Sequence, residues 1–256
     1  MKTMTAFWRY DWQRNASRHL ALAALAAAWP WAMTFGRAGM DDGRWWTPVL
    51  LTVGVALGVA IPLLFMGNII EEGRVASPRE FRHFVHVLPV DRKEWALAKL
   101  ASAGLWVGIV PTLLLFGTGL ALHLLQGGHP TGGLAKVVGV LQLLATLSAF
   151  TVWTMLWAAL FPHRWVLLGI PLFVLGEGLA RGITSAEALV SSIPRTLLAS
   201  GLDMGLLVVL AGLLAVVFVL YHQRRSRGWA LATGFFVLVG VDGLRAVVGW
   251  LIRTRL

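Results

Sequence analysis

The chain has 256 residues, 57% of them apolar and 13% charged, with a formal net charge of +10 and no cysteine. Soluble domains average about 45–50% apolar and about 25% charged residues, so this balance calls for lipid as solvent. At about 20 residues per helical span, the length predicts one membrane domain over residues 1–256 with nothing appended. No soluble basic domain is left to hold nucleic acid, and the basic residues cluster between apolar runs as the positive-inside rule requires. Without cysteine, disulfides, thiol catalysis and thiolate metal sites are excluded.

In residues 1–19, Met4, Phe7, Trp8 and Trp12 fall near one helical face, with Lys2, Arg9 and Arg14 elsewhere. This predicts an N-terminal interfacial helix. The Ala-rich run from Leu20 to Phe35 resembles a signal-peptide core, but a long aromatic segment precedes it and no small-residue cleavage site follows, so it reads as an uncleaved first span. Further apolar runs cover Thr47–Met66, Trp95–Leu125, Val137–Phe161, Trp165–Ala180, Met204–Tyr221 and Trp229–Ile252. Residues 181–203, with Pro194 and Arg195, read as an amphipathic or re-entrant connector. The expected fold class is therefore an all-α polytopic membrane protein with six or seven transmembrane helices.

The run at residues 229–252 is the possible seventh span. It is long enough, but it contains Asp242 and Arg245, and a mid-bilayer charge costs about 2.5–3.5 kcal/mol on the insertion scale. The i, i+3 spacing lets the two pair on one face, which lowers that cost. The sequence leaves open a span and an interfacial or re-entrant helix.

Orientation follows from the basic residues between runs. With the N-terminus cytoplasmic, the inner segments hold fourteen: Lys2, Arg9, Arg14 and Arg18; Arg74, Arg79, Arg82, Arg92, Lys93 and Lys99; Arg164; and Arg224, Arg225 and Arg227. The outer segments hold five, at Arg37, Arg44, Lys136, Arg181 and Arg195. That asymmetry predicts the N-terminus inside. Trp29, Trp31, Trp45 and Trp46 around the first outer turn, and Trp95, Trp165 and Trp229 at inner ends, read as interface anchors.

The cytoplasmic loop at residues 68–94 parses as two helix starts. Ser77-Pro78-Arg79-Glu80 is a capping box with proline at the first helical position. The helix it opens must stop by Leu88, because Pro89 restricts the residue before it and donates no hydrogen bond. Phe81, Phe84, Val85 and Leu88 take the i, i+3, i+4, i+7 positions of an apolar stripe, opposite Arg79, Glu80, Arg82, His83 and His86. Asp91-Arg92-Lys93-Glu94 is a second capping box, so a new helix starts at Asp91 and enters the membrane at Trp95.

At this loop the chain resembles the permeases of ABC-2 type transporters. Those proteins carry an acidic residue after the second span, an L-P-V-[S]-R segment, and a lysine opening the third span. Here the matching residues are Glu71 and Glu72, then Leu88-Pro89-Val90, Arg92 and Lys99, with Asp91 in place of the commoner serine. The match covers residues 69–100; the N-terminal amphipathic helix and the span order agree over most of the rest, although six spans are usual in the family. The resemblance implies a transport subunit, commonly an exporter of a bacterial or archaeal plasma membrane. Its loop helix would dock as a coupling helix into a separate cytoplasmic ATPase. It also implies a second permease copy or homologue beside it. No cofactor is expected on this chain, with ATP and Mg on the partner: no G-x-x-x-x-G-K-[ST] phosphate loop occurs, and the Gly-rich stretch Gly127–Lys136 has no Gly-Lys pair.

Other constellations carry less. His83 and His86 lie on the polar face of the loop helix with no third ligand pattern, so no metal site is expected. Glu177, in G-E-G near the outer end of the fifth run, has Arg181 at i+4; the two form either a structural pair or part of a substrate path. Gly54/Gly58 and Gly104/Gly108 have the G-x-x-x-G spacing of helix packing. An intramembrane enzyme should show paired acids, histidines or a serine with a base in adjacent spans, and the runs are nearly free of them. The expectation is a transport subunit and not an enzyme, with a membrane scaffold or assembly factor as the alternative. Nothing in the sequence specifies the cargo.

Overall fold

A computed structural model describes residues 2–41, 47–75, 91–125, 133–161, 168–176, 193–224 and 226–255. These residues are helical apart from caps and single linking residues, with no strand among them. In chain order the helices are α1 (Lys2–Asp41), α2 (Thr47–Val75), α3 (Arg92–Ala103), a π-helical segment (Gly104–Ile109), α4 (Val110–Leu125), α5 (Gly133–Leu160), α6 (168–176), α7 (Ile193–Arg224) and α8 (Arg227–Arg255).

Five helical stretches are long and apolar enough to cross a membrane: Thr47–Ile70, Arg92–Leu125, Val140–Leu160, Ser200–Gln223 and Arg227–Ile252. The last is the run that Asp242 and Arg245 left open. The Leu20–Phe35 run is not among the five, its alanine-rich stretch being diluted by Trp29, Pro30, Trp31 and Thr34. Only nine residues of the fifth run, 168–176, are described.

Two expected boundaries are absent. Residues 1–19 do not form a separate interfacial helix: α1 continues from Lys2 through the first apolar run without a break, and Asn15 and His19 are buried. Residues 193–203 are not a connector either. They are the first turns of α7, with Pro194 near its start, where a missing N–H costs no helical bond.

Side-chain contacts fix the direction of each helix. Trp29 donates to the Gly54 carbonyl at 2.9 Å and Gly36 approaches Leu51, so α1 and α2 run antiparallel. Gln142 reaches Asp203 and Tyr221 reaches the Ala159 carbonyl, so α5 and α7 run parallel. Gly234 packs on Leu156 while Arg245 meets Asp203, which sets α8 antiparallel to both. Trp95 against His222 puts the start of α3 beside the end of α7. With α3, the π-helical segment and α4 taken as one rod, successive helices therefore alternate in direction. One end of the bundle gathers Arg92, Lys93, Arg224 and Arg227 and is called the basic end below; the other is the far end.

The centre is α5. Its apolar window is 61% buried within the chain, against 6% for the window in α2, which turns most of its surface outward. Trp153, Leu156 and Leu160 on α5 meet the stripe Leu207, Leu210, Leu214 and Phe218 on α7 within one apolar core. The spacing of that stripe is the helical i, i+3, i+7, i+11 repeat.

Several hydroxyls in the spans are satisfied locally, as a lipid solvent favours. Thr52, Thr112, Thr146, Ser148 and Thr151 each donate to the carbonyl four residues back, at 2.7–2.9 Å. The π-helical segment has a local cause as well. Pro111 has no N–H to offer the Val107 carbonyl, and its ring crowds that turn; the helix widens just before it, with the Val110 N–H bonding Leu105, five residues back.

Candidate functional site

The expected coupling helix lies outside the described residues, and with it Phe81, Phe84, Val85, Leu88, Pro89, His83 and His86. Glu177 and Arg181 also lie outside them. Glu71 and Glu72 belong to the last turn and a half of α2, which runs on past the apolar stretch to Val75.

The exit from the loop is described. Asp91 is the N-cap of α3, extended at φ −63°, ψ 138°, and its carboxylate accepts from the Lys93 N–H at 3.2 Å. An aspartate cap satisfies an orphan donor and places negative charge at the helix start, which stabilises it by about 1 kcal/mol. From that cap the chain is helical without interruption to Leu125.

On this helix Trp95, Lys99, Ser102 and Trp106 lie at i, i+4, i+7 and i+11, and so on one face. Trp95 is not an interface anchor: it is 2% exposed and meets the His222 ring edge-on at 5.3 Å. Lys99 is 1% exposed, so the lysine expected to open the span is enclosed in the bundle. Trp106 stacks on α1, with ring centroids 4.3 Å from Trp12 and 6.3 Å from His19. The stripe thus ties the start of the third run to α1 on one side and to the basic end of α7 on the other.

A second polar constellation sits at the far end. The Arg245 Nε donates to Asp203 Oδ1 at 2.8 Å, and its Nη1 donates to Asp242 Oδ1 at 2.9 Å. Gln142 Nε2 donates to the other Asp203 oxygen at 2.8 Å. Gly176, the last described residue of α6, lies so close to the Asp242 carboxylate that a Cβ there would collide with it. Four elements, α5, α6, α7 and α8, therefore meet around one guanidinium. The Arg245 side chain is 0% exposed, while those of Asp203 and Asp242 are 19% and 10% exposed.

The depth of this cluster follows from helix geometry. Arg245 is 18 residues beyond Arg227, roughly 27 Å along an α-helix, and the hydrocarbon core is about 30 Å thick. With Arg227 at the near boundary, the charges lie toward the far boundary and not at the midplane, where their cost would be greatest. The Asp242–Arg245 spacing was legible in the sequence. Asp203 and Gln142 were not: Asp203 fell at the end of the expected connector, Gln142 is one of several uncharged polar residues in its run, and nothing in the one-dimensional pattern joins them to Arg245.

The glycine pairs differ from each other. A Cβ on Gly54 would meet Met33 Sδ at 2.7 Å, and one on Gly58 would meet Trp29 Nε1 at 3.3 Å, so this pair seats α1. Gly104 and Gly108 have nothing within 4 Å of such an atom and do not mark a packing seam; both lie in the π-helical segment, which Gly104 opens. Trp29 is likewise a packing residue of the α1–α2 pair and not an anchor. Among the described residues no group of three or more His, Cys, Asp or Glu could hold a metal ion.

No family model, no curated protein and no solved structure matches the chain.

Proposed function

We propose that the chain is the membrane-spanning permease subunit of an ATP-driven transporter, working with a separate cytoplasmic ATPase and exporting its cargo. In this reading seven helical segments cross the bilayer in alternation, with the N-terminus and the basic end on the cytoplasmic side. A second copy or a homologue completes the pathway, because a closed two-fold assembly is the usual solution for such a half. ATP and Mg belong to the partner.

The observation that supports this most is the loop sequence Leu88-Pro89-Val90-Asp91-Arg92 followed directly by the capped, unbroken helix from Arg92 to Leu125. A short amphipathic helix joined through Pro89 to a continuous rod can pass a displacement at the cytoplasmic surface into the membrane. The burial of Trp95 and Lys99 gives that rod fixed bearings at the basic end.

The test is co-expression with a candidate cytoplasmic ATPase of the ABC class. Phe81→Ala and Phe84→Ala remove aromatic anchors whose loss at an interface centre costs on the order of 2–4 kcal/mol each, so ATPase co-purification should fall. Pro89→Gly keeps those contacts and loosens the hinge; it should preserve the complex while uncoupling hydrolysis from transport. Wild-type co-purification and stimulated hydrolysis in both Phe variants would mean that the stripe rests on lipid headgroups, and the coupling reading would be wrong.

A further inference from the structure

We infer that the Asp203–Arg245–Asp242 cluster, with Gln142, is a latch that holds the far end of the bundle shut and is released when that end opens. The role of the latch as a gate rests on the transport reading above; the latch itself does not, since it can be observed on the chain alone.

Three features of the geometry carry this. Two of the three bonds of the cluster run between helices, α5 to α7 through Gln142 and Asp203 and α7 to α8 through Asp203 and Arg245, while the Arg245–Asp242 bond lies within α8. Asp242 adds the contact to Gly176 of α6. Second, directly beneath Asp203 on the same face of α7 lie Leu207 and Leu210, both 0% exposed, so the polar layer is a single tier over a sealed apolar core. Third, the partners are unequal. Arg245 is fully enclosed, whereas both carboxylates retain exposure.

An ionic tier of this kind behaves as a two-state element. Closed, each carboxylate has the guanidinium within hydrogen-bond distance. Open, the partly exposed carboxylates can take water in its place at the membrane boundary. Buried apolar contacts offer no such replacement, so separation of the helices should begin at this tier. The Gln142 bond adds a neutral tie that holds the Asp203 carboxylate in line with Arg245.

The chain has no cysteine, so single reporters can be placed directly. Leu207→Cys sits one turn beneath Asp203, and Leu214→Cys lies two turns deeper in the same buried stripe. Each is reacted with a membrane-impermeant maleimide in lipid nanodiscs, where both faces of the bilayer are accessible. Slow labelling of Leu207→Cys is expected in the parent, rising on the order of tenfold when Asp203→Asn removes one charge-assisted bond. Asp203→Glu, which keeps the charge, should stay near the parent. Leu214→Cys should stay protected throughout.

The latch is overturned if Asp203→Asn labels Leu207→Cys no faster than the parent, or if Asp203→Glu labels as fast as Asp203→Asn. Equal exposure of Leu214→Cys would also overturn it, because the change would then be unfolding of the whole helix. If Asp203→Asn does not yield folded protein, Gln142→Met serves in its place: it removes only the neutral tie and should give a smaller rise, and a flat response there rejects the latch. None of these readings uses the ATPase, so they can fail while the coupling experiment succeeds, and the reverse.

Discussion

Arg245 and Asp203 are 42 positions apart in the chain, yet their Nε and Oδ1 atoms lie 2.8 Å apart, with the guanidinium enclosed between α7 and α8. Opposite charges buried together gain attraction in the low dielectric but lose hydration, so the pair is costly to break and much less costly to replace whole. Arg245→Ala strands two carboxylates and should destabilise the chain by about 3–5 kcal/mol. Replacing all three with apolar residues, as in Arg245→Met with Asp203→Leu and Asp242→Leu, should recover most of that loss. Thermal melting of both variants in one detergent decides the matter: a triple variant no more stable than Arg245→Ala would show that the cluster stabilises by more than mutual neutralisation.

Two glycines in the helices should respond oppositely to alanine. At Gly169 a Cβ would lie 2.5–2.9 Å from the Trp157 indole, and the Gly169 carbonyl accepts from Trp153 Nε1 at 2.7 Å. Gly169→Ala forces α6 away from α5 and should cost about 1–3 kcal/mol, the usual range for overpacking. Gly108→Ala meets nothing within 4 Å, and its melting temperature should match the parent or exceed it. A Gly169→Ala variant as stable as Gly108→Ala would argue against the close approach of the two helices.

The α1–α2 pair depends on one indole. Trp29→Phe keeps an aromatic ring but removes the donor to the Gly54 carbonyl and part of the indole, so a loss of at least about 0.5–1.5 kcal/mol is expected. Gly54→Val should be worse, since Met33 Sδ already lies 2.7 Å from the position of a Cβ. Limited proteolysis between α1 and α2 should rise in that order. Equal resistance in the parent and Gly54→Val would contradict the seating of α1 on this glycine.

The cap at Asp91 separates local stability from packing. Asp91→Ala removes the acceptor of the Lys93 N–H and should destabilise by about 1 kcal/mol, whereas Asp91→Ser should be close to neutral because serine caps as well. Hydrogen exchange over the first turn of α3 should accelerate in the alanine variant only. Acceleration in both would place the stabilisation in the charge of Asp91 and not in its hydrogen bond.

Much of this architecture was legible one residue at a time. Five of the apolar runs became helices long enough to cross a membrane because lipid leaves the backbone no partner but itself, and continuous apolarity is enough to say so. The Asp91 cap was legible because capping is local, settled within a few residues of the helix start. The pairing of Asp242 with Arg245 was legible for the same reason, being one turn of one helix.

What only the tertiary structure decided is which faces meet. Periodicity cannot separate a tryptophan at the lipid boundary from one packed inside, because both sit in apolar sequence; Trp29 and Trp95 proved to be packing residues. The G-x-x-x-G spacing was equally mute: Gly54 and Gly58 seat α1, while Gly104 and Gly108 seat nothing. Nor could the first nineteen residues be assigned by their amphipathic look, since a neighbouring face can bury Asn15 and His19 as readily as an interface can expose them. Asp203 and Gln142 were the largest omission. Asp203 fell at the end of the expected connector and Gln142 among the hydroxyls of its run, and the meaning of both depends on the antiparallel return of α8, which brings Arg245 across a separation that no local pattern encodes.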